Sequence, residues 1–167
     1  MKDHGLQASD IAEVVTHVHQ GAIDVLGPVV DPQTVHQAKF SMGTVLGLIA
    51  LDGRAGVNEF ESRFLDGDVA DFRVRVRMVL DEEVDGAYPV RWIGKVSVHT
   101  RDGRILHGRV DEPKGDPGNT LSRAELETKA LQLAAFGKAA TQEEMQQAFR
   151  RLWNIRNEPA LGALLPH

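Results

Sequence analysis

The sequence of 167 residues contains no cysteine. Disulfide bonds, thiolate nucleophiles and metal sites built from thiolates are therefore excluded. No apolar run approaches the roughly 20 residues that a membrane-spanning helix needs, and the N-terminus lacks the apolar segment of a signal peptide. These absences predict a cytoplasmic protein that has no membrane partner.

An excess of basic residues is also missing. The net charge is −5, and acidic and basic residues are mixed along the chain. A nucleic-acid-binding protein should carry a basic patch, and the nearest approach to one is formed by Arg73, Arg75 and Arg77. These arginines alternate with apolar residues from 72 to 80, which predicts a strand with one buried and one solvated face. We therefore interpret them as the solvated face and predict no nucleic-acid partner.

The apolar residues that are present, 42% of the total, suffice for the core of an ordinary globular domain. Residues 1–10 are polar, and we interpret them as a lead-in, the remnant of a preceding helix. Residues 11–167 then form one domain. Gly21–Pro32 is rich in proline and glycine, which favours a loop.

Periodicity and capping patterns predict the remaining elements. They comprise strands at 11–19, 91–100 and 105–111 and helices at 31–53, 58–65, 121–136 and 141–153. Asp31 suits the cap of the first helix and Gly53 its left-handed end. Ser122 with Glu125 and Thr141 with Glu144 have the spacing of capping boxes. Gly43 and Gly47, four residues apart, favour close packing against a neighbouring element. Asp102-Gly103 predicts a tight hairpin turn in which both residues have positive φ. Apolar residues in the tail, Leu161, Leu164 and Leu165, predict that it packs against the domain.

These elements together predict an α+β fold. Strands grouped around a hairpin, with helices segregated from them, favour a sheet of about four mainly antiparallel strands with helices on one face.

Several segments, taken in order, resemble the C-terminal part of the MmgE/PrpD family. They are Asp10-Ile11 leading into the strand that ends near His19, Gln37–Ser41, Leu51–Arg54, Pro113–Pro117 with Asn119, Leu121-Ser122, Glu125-Leu126 and Lys129. The family includes 2-methylcitrate dehydratase, cis-aconitate decarboxylase and iminodisuccinate epimerase. Two departures, Thr120 in place of a usual proline and Ala130 in place of a usual phenylalanine, are local packing changes.

The resemblance implies a lid domain. Family members have an all-helical domain and a smaller α+β lid, and the active site lies in the cleft between them. They need no cofactor or metal, and they move protons beside the carboxylates of small di- and tricarboxylic acids. Most catalytic groups come from the helical domain, and a further Lys–His pair lies upstream of the region that matches Asp10-Ile11. Catalytic residues of this chain therefore stay unknown, and we expect the chain to be inactive alone.

Two functions remain open. The first is a lid subunit that completes a hydro-lyase, decarboxylase or epimerase site with a separately encoded helical domain or within a homo-oligomer. The second is a non-catalytic remnant, or a module that binds small ligands or proteins on the same scaffold. Fold resemblance alone does not establish activity.

The histidines near the end of the first strand are candidates for function. His17 and His19 are two residues apart, so on a strand their side chains face the same side. A metal site needs a third or fourth ligand, and no spacing identifies one, so we predict no metal. His19 lies where some family members carry a histidine, which makes it a candidate substrate-facing residue; the alternative is an exposed strand histidine.

The segments that carry the resemblance supply four more candidate substrate-binding residues. Lys39 offers a cation for a carboxylate, although exposed helical lysines are common. Ser41 offers a hydroxyl donor; the alternative is a bond to its own helical turn. Lys114 and Gly115 belong to a loop that suits the rim of a cleft, where Gly115 supplies an unusual backbone angle. We interpret His99 and His107 as surface residues of the hairpin.

Overall fold

The computed structural model describes residue 1 and residues 4–157. The chain forms two compact units, Met1–Asn119 and a second that begins at Thr120. No helix among the described residues is long and apolar enough to cross a membrane.

A four-stranded sheet forms the centre of the first unit. Its strands are β1 (Ile11–Val18), β2 (Val76–Leu80), β3 (Gly94–Thr100) and β4 (Ile105–Val110). They lie in the order β2-β1-β3-β4. β2 runs parallel to β1, whereas β3 and β4 pair in antiparallel fashion. The predicted α+β fold with a mainly antiparallel sheet of four strands is confirmed.

Eight α-helices surround or follow these strands in the described part of the chain. They are α1 (Gln20–Leu26), α2 (Val35–Lys39), α3 (Met42–Asp52), α4 (Val57–Arg63), α5 (Gly67–Arg73), α6 (Glu82–Ala87), α7 (Arg123–Gly137) and α8 (Gln142–Trp153). Short 3-10 turns cover Ala8–Asp10 and Ile155–Asn157. Helices α1 to α6 belong to the first unit, and α7 and α8 to the second.

The core of the first unit consists of two apolar clusters. In one, Ile11 and Val14 of β1 and Phe72 of α5 pack with Leu46 of α3 and with Val96 of β3. In the other, Leu48 of α3 packs with residues of α2, α4 and α5. One face of the sheet therefore rests on α3 and α5, because these helices present apolar side chains to it.

The single helix predicted over 31–53 is wrong, because two helices occupy this segment. Thr34, not Asp31, caps α2, and the backbone leaves the helical conformation at Ser41 (φ −103°, ψ 107°). The Ser41 hydroxyl accepts a hydrogen bond from the Thr44 N–H and so starts α3 inside an otherwise continuous apolar pattern. Gly53 ends α3 with φ 77°, as predicted.

The strand predicted over 72–80 is too long. Phe72 and Arg73 end α5, and β2 begins only at Val76. Phe72 is 2% exposed and reaches the core from a helix, so burial against α3 overrides the alternating pattern. The solvated-face interpretation is wrong for Arg73, whose side chain is only 12% exposed. Arg77 fits it, being half-exposed and paired with Glu13 at 2.6 Å.

Local turns account for the other differences. The segment predicted as a loop contains α1, and α6 was not predicted; Asp81 caps α6 by accepting from the N–H groups of Glu83 and Val84. The hairpin between β3 and β4 is confirmed, but only Gly103 of the Asp-Gly pair has positive φ (88°). The connection therefore uses the glycine of a longer turn, not a two-residue turn.

The second unit begins with two capped helices. Ser122 and Glu125 form the predicted capping box of α7, and Thr141 and Glu144 form that of α8. Trp153 of α8 donates from Nε1 to Glu127 of α7 at 2.6 Å. The predicted packing of the leucine-rich tail concerns residues outside the described part of the chain. The division into 1–10 and 11–167 stays a prediction.

Candidate functional site

His19 lies at the junction of β1 and α1, one residue beyond the strand. Its Nδ1 accepts a hydrogen bond from the Ala22 N–H at 3.1 Å, so the side chain caps α1. Because Nδ1 is the acceptor, the neutral ring carries its proton on Nε2. The ring also stacks on Tyr88, with centroids 4.0 Å apart and planes 8° apart, and Trp92 meets it edge-on at 6.0 Å. Its position is thus fixed on two sides.

His19 and Trp92 border a cavity with a volume of about 540 Å³. The lining includes His19, Ala22 of α1, Met42 of α3, Trp92, and residues of β1, β3 and β4 such as Val18, Val96 and Val110. Val96 belongs to the core cluster, so the cavity extends the helix-covered side of the sheet. We name this space the His19 cavity.

Ser41 borders a second space, which we name the Arg73 cavity. It has a volume of about 300 Å³ and is lined by Ser41, by Met42 and Gly43 of α3 and by Arg73. Apolar residues of the segments 26–30 and 74–78 complete the lining. Ser41 is 1% exposed, and besides capping α3 its oxygen accepts from the Thr44 hydroxyl at 3.1 Å. Met42 lines both cavities.

The other candidate residues lie outside these two linings. Lys39 is exposed at the last position of α2, two residues before Ser41, and makes no ion pair among the described residues. Lys114 and Gly115 are exposed in the loop that follows β4. Gly115 has the expected unusual backbone angle, φ 111°, and its N–H donates to the Asn119 carbonyl at 2.8 Å. The structure therefore brings His19 and Ser41 to neighbouring cavities and leaves the lysines on the surface.

A hydrogen-bonded chain that the sequence did not reveal crosses the sheet. Ser97 Oγ lies 2.9 Å from His17 Nε2 and 3.0 Å from His107 Nδ1, and His17 Nδ1 lies 3.8 Å from Asp81. The hairpin register pairs Ser97 directly with His107, and only the register could have signalled this contact. His17 therefore makes contacts that His19 does not share. His19 lies beyond the end of β1, so the alternation of side chains along the strand does not set its direction.

The cations near this chain are already paired. Lys95 bonds to Asp81 at 2.9 Å and to Glu83 at 2.6 Å, and Arg109 bonds to Glu83 at 2.7 Å. Arg109, with Lys95 adding to its effect, lowers the pKa of Glu83 to about 2. Lys95 likewise holds the pKa of Asp81 below its usual value. Among the described residues, no group of three or more side chains could hold a metal ion.

A comparison with known protein families finds a match. The model described as the MmgE/PrpD C-terminal domain matches residues 1–155, which include both cavities and both helices of the second unit. No curated protein matches the chain.

Proposed function

Because the chain belongs to the MmgE/PrpD family through its C-terminal domain, we propose that it acts as the lid of a two-part enzyme. The proposed enzyme is a cytoplasmic hydro-lyase, decarboxylase or epimerase of small di- or tricarboxylic acids. A helical domain supplies the rest of the site. The observation that carries this proposal is that the family's C-terminal-domain model matches residues 1–155, the part that the resemblance identifies with the lid.

The geometry of the His19 cavity supports a lid role. Proton transfer beside a carboxylate needs a base or acid of suitable pKa and cations that hold the carboxylates. The cavity is lined by the imidazoles of His17 and His19, whereas the cations in its lining, Lys95 and Arg109, are held by carboxylates. A partner that brings free cations to this open wall would complete the set.

We propose His19 as the substrate-facing group, with Ser41 as a hydroxyl donor beside it. Lys39, Lys114 and Gly115 belong to the rim in this proposal. Lys39 carries a charge without an ion pair among the described residues and lies in the same segment as Ser41. The loop that bears Lys114 and Gly115 begins three residues after Val110, which lines the His19 cavity. All five residues thus line a cavity or belong to segments next to the cavity walls, which supports the proposal.

The test is reconstitution. The chain is co-purified with the helical domain of a family member, and turnover of 2-methylcitrate, cis-aconitate and iminodisuccinate is followed by proton NMR. We expect a complex with activity that neither piece has alone. His19→Gln should lower kcat, while His99→Gln, a change in a histidine without a side-chain hydrogen bond in the described structure, should leave it unchanged.

Two results would overturn the proposal. One is enzyme-like turnover by the chain alone. The other is a stable complex that turns over none of the three acids, which would favour a binding module without catalysis.

A further inference from the structure

The Arg73 cavity combines an apolar wall with a buried cation. Arg73 ends α5, and its side chain is 12% exposed. One nitrogen, Nη2, bonds to Asp31 at 2.7 Å, and Asp31 itself is 71% exposed on the solvent side. The Nε atom is buried and has no hydrogen-bond partner in the described structure. A buried donor of this kind calls for an acceptor, because nearly all buried polar atoms in folded proteins have one.

Gly43 explains why the cation lies where it does. A Cβ at this position would lie 2.6 Å from Cγ of Arg73 and 2.8 Å from its carbonyl oxygen. Only glycine lets the first turn of α3 approach the arginine so closely. The N–H groups of Met42 and Gly43, at the start of this 11-residue helix, have no acceptor among the described residues, and both residues line the cavity.

Ser41 adds a second buried polar group to the same cavity. It is 1% exposed, and its oxygen accepts from both the N–H and the hydroxyl of Thr44. In that arrangement the Ser41 proton has no acceptor among the described residues. A ligand oxygen can therefore accept hydrogen bonds from the Ser41 hydroxyl and from the Arg73 Nε–H.

The remaining walls fix the class of ligand. They are apolar, formed by Leu26, Val29, Val30, Val74, Val76 and Met78. A volume of about 300 Å³ equals that of about ten water molecules, which is room for a small acid. A second carboxylate would have to lie against these walls without a partner, which is unfavourable.

We propose that the Arg73 cavity binds a monocarboxylate with a short apolar tail. Its carboxylate accepts from Arg73 Nε and the Ser41 hydroxyl, near the start of α3, where negative charge is favoured. Its tail lies against Val29, Val30 and Val74. The site shares Ser41 with the di- or tricarboxylate site proposed above but needs no helical domain. Binding of a monocarboxylate to the chain alone can therefore fail without the reconstitution, and the reconstitution without it.

The test is an NMR titration of the complete, ¹⁵N-labelled chain with sodium butyrate at constant sodium concentration. We expect saturable shifts at the Arg73 Nε–H and the Gly43 amide. Succinate should bind more weakly, and neutral butyramide should produce no saturable shift. Chloride, which replaces butyrate at equal ionic strength, serves as the reference.

Three variants sharpen the test. Arg73→Gln should abolish the saturable shift at Gly43, whereas Arg77→Gln, which removes an exposed arginine that pairs with Glu13, should leave the affinity unchanged. Asp31→Asn removes an exposed competing carboxylate and should tighten butyrate binding about two- to fivefold. This last variant keeps the test decisive if Arg73→Gln impairs folding.

The proposal is overturned by any of three results. These are shifts that do not saturate, equal binding of butyrate and butyramide, or unchanged binding in a folded Arg73→Gln variant. If Arg73→Gln does not fold, unchanged affinity in Asp31→Asn takes the place of the third result.

Discussion

Gly43 of α3 and Arg73 of α5 are packed so closely that a methyl group on Gly43 would lie 2.6 Å from Cγ of Arg73. Gly47, one turn later on the same helix, faces α5 with more space, since its nearest neighbour would be the Val69 carbonyl oxygen at 3.4 Å. The predicted close packing at these two glycines is confirmed, and the space left for a methyl group differs between them.

This pair gives the first prediction. Gly43→Ala should lower the free energy of unfolding by about 1–3 kcal/mol, because the arginine backbone must move. Gly47→Ala should be neutral or stabilising, since alanine gains up to about 1 kcal/mol over glycine within a helix. Urea denaturation followed by circular dichroism measures both. Equal destabilisation by the two changes would contradict the packing described.

His19 has two structural roles that can be separated by substitution. His19→Asn keeps an acceptor for the Ala22 N–H but removes the stack on Tyr88, whereas His19→Ala removes both. The alanine variant should therefore unfold more easily than the asparagine variant, by about 1 kcal/mol. The measurement is the midpoint of urea denaturation. If the two variants were equally stable, His19 would not cap α1.

Ser97 supports two histidines at once. Ser97 is only 8% exposed. Ser97→Ala would leave His17 Nε2 and His107 Nδ1 without their shared hydrogen-bond partner. The change should cost about 1–3 kcal/mol of unfolding free energy. Ser62→Ala is the control, because that exposed hydroxyl only donates to the carbonyl of Asn58 in its own helix. A loss no larger than that of the control would contradict this role.

Acid should weaken the ion pairs of Glu83. Its folded-state pKa is lowered from 4.5 to about 2 by Arg109 first and Lys95 second. The stabilisation is therefore fully present above about pH 4.5 and is lost as the pH falls toward 2. Glu83→Gln should flatten this part of the stability curve. Glu82→Gln, a neighbour without an ion pair in the described structure, should not; a similar flattening there would refute the assignment.

Several features were predictable because their signals are local. The capping boxes at Ser122 and Thr141 require only residues three apart, and Gly53 and Gly103 have the positive φ that their neighbours require. The family resemblance was confirmed as well, since it depended on order and spacing along most of the chain.

The misplaced boundaries share one cause, which is tertiary packing. Phe72 alternates with arginines as a strand residue would. It is nevertheless a residue of α5, and its burial in the core decides the local structure. Ser41 lies within an apolar helical pattern, and nothing local distinguishes it from a helix interior until its hydroxyl caps α3. His19 is an uncommon capping residue, so α1 gave no signal of its start.

The candidate site was only partly predictable for the same reason. His19 and Ser41 were identified through the resemblance, but the cavities beside them arise from segments far apart in sequence. Arg73 was assigned to solvent because its pattern could not show that Gly43 admits it beneath α3. The contact between Ser97 and two histidines likewise depends on strand register.

Met42 forms a shared wall between two spaces of about 540 and 300 Å³. A thioether side chain is flexible and changes rotamer at little energetic cost. A ligand that displaces Met42 from one cavity reduces the volume of the other. By thermodynamic reciprocity, each ligand then changes the binding affinity of the other by the same factor. The side chain of Met42 thus couples binding in one cavity to binding in the other.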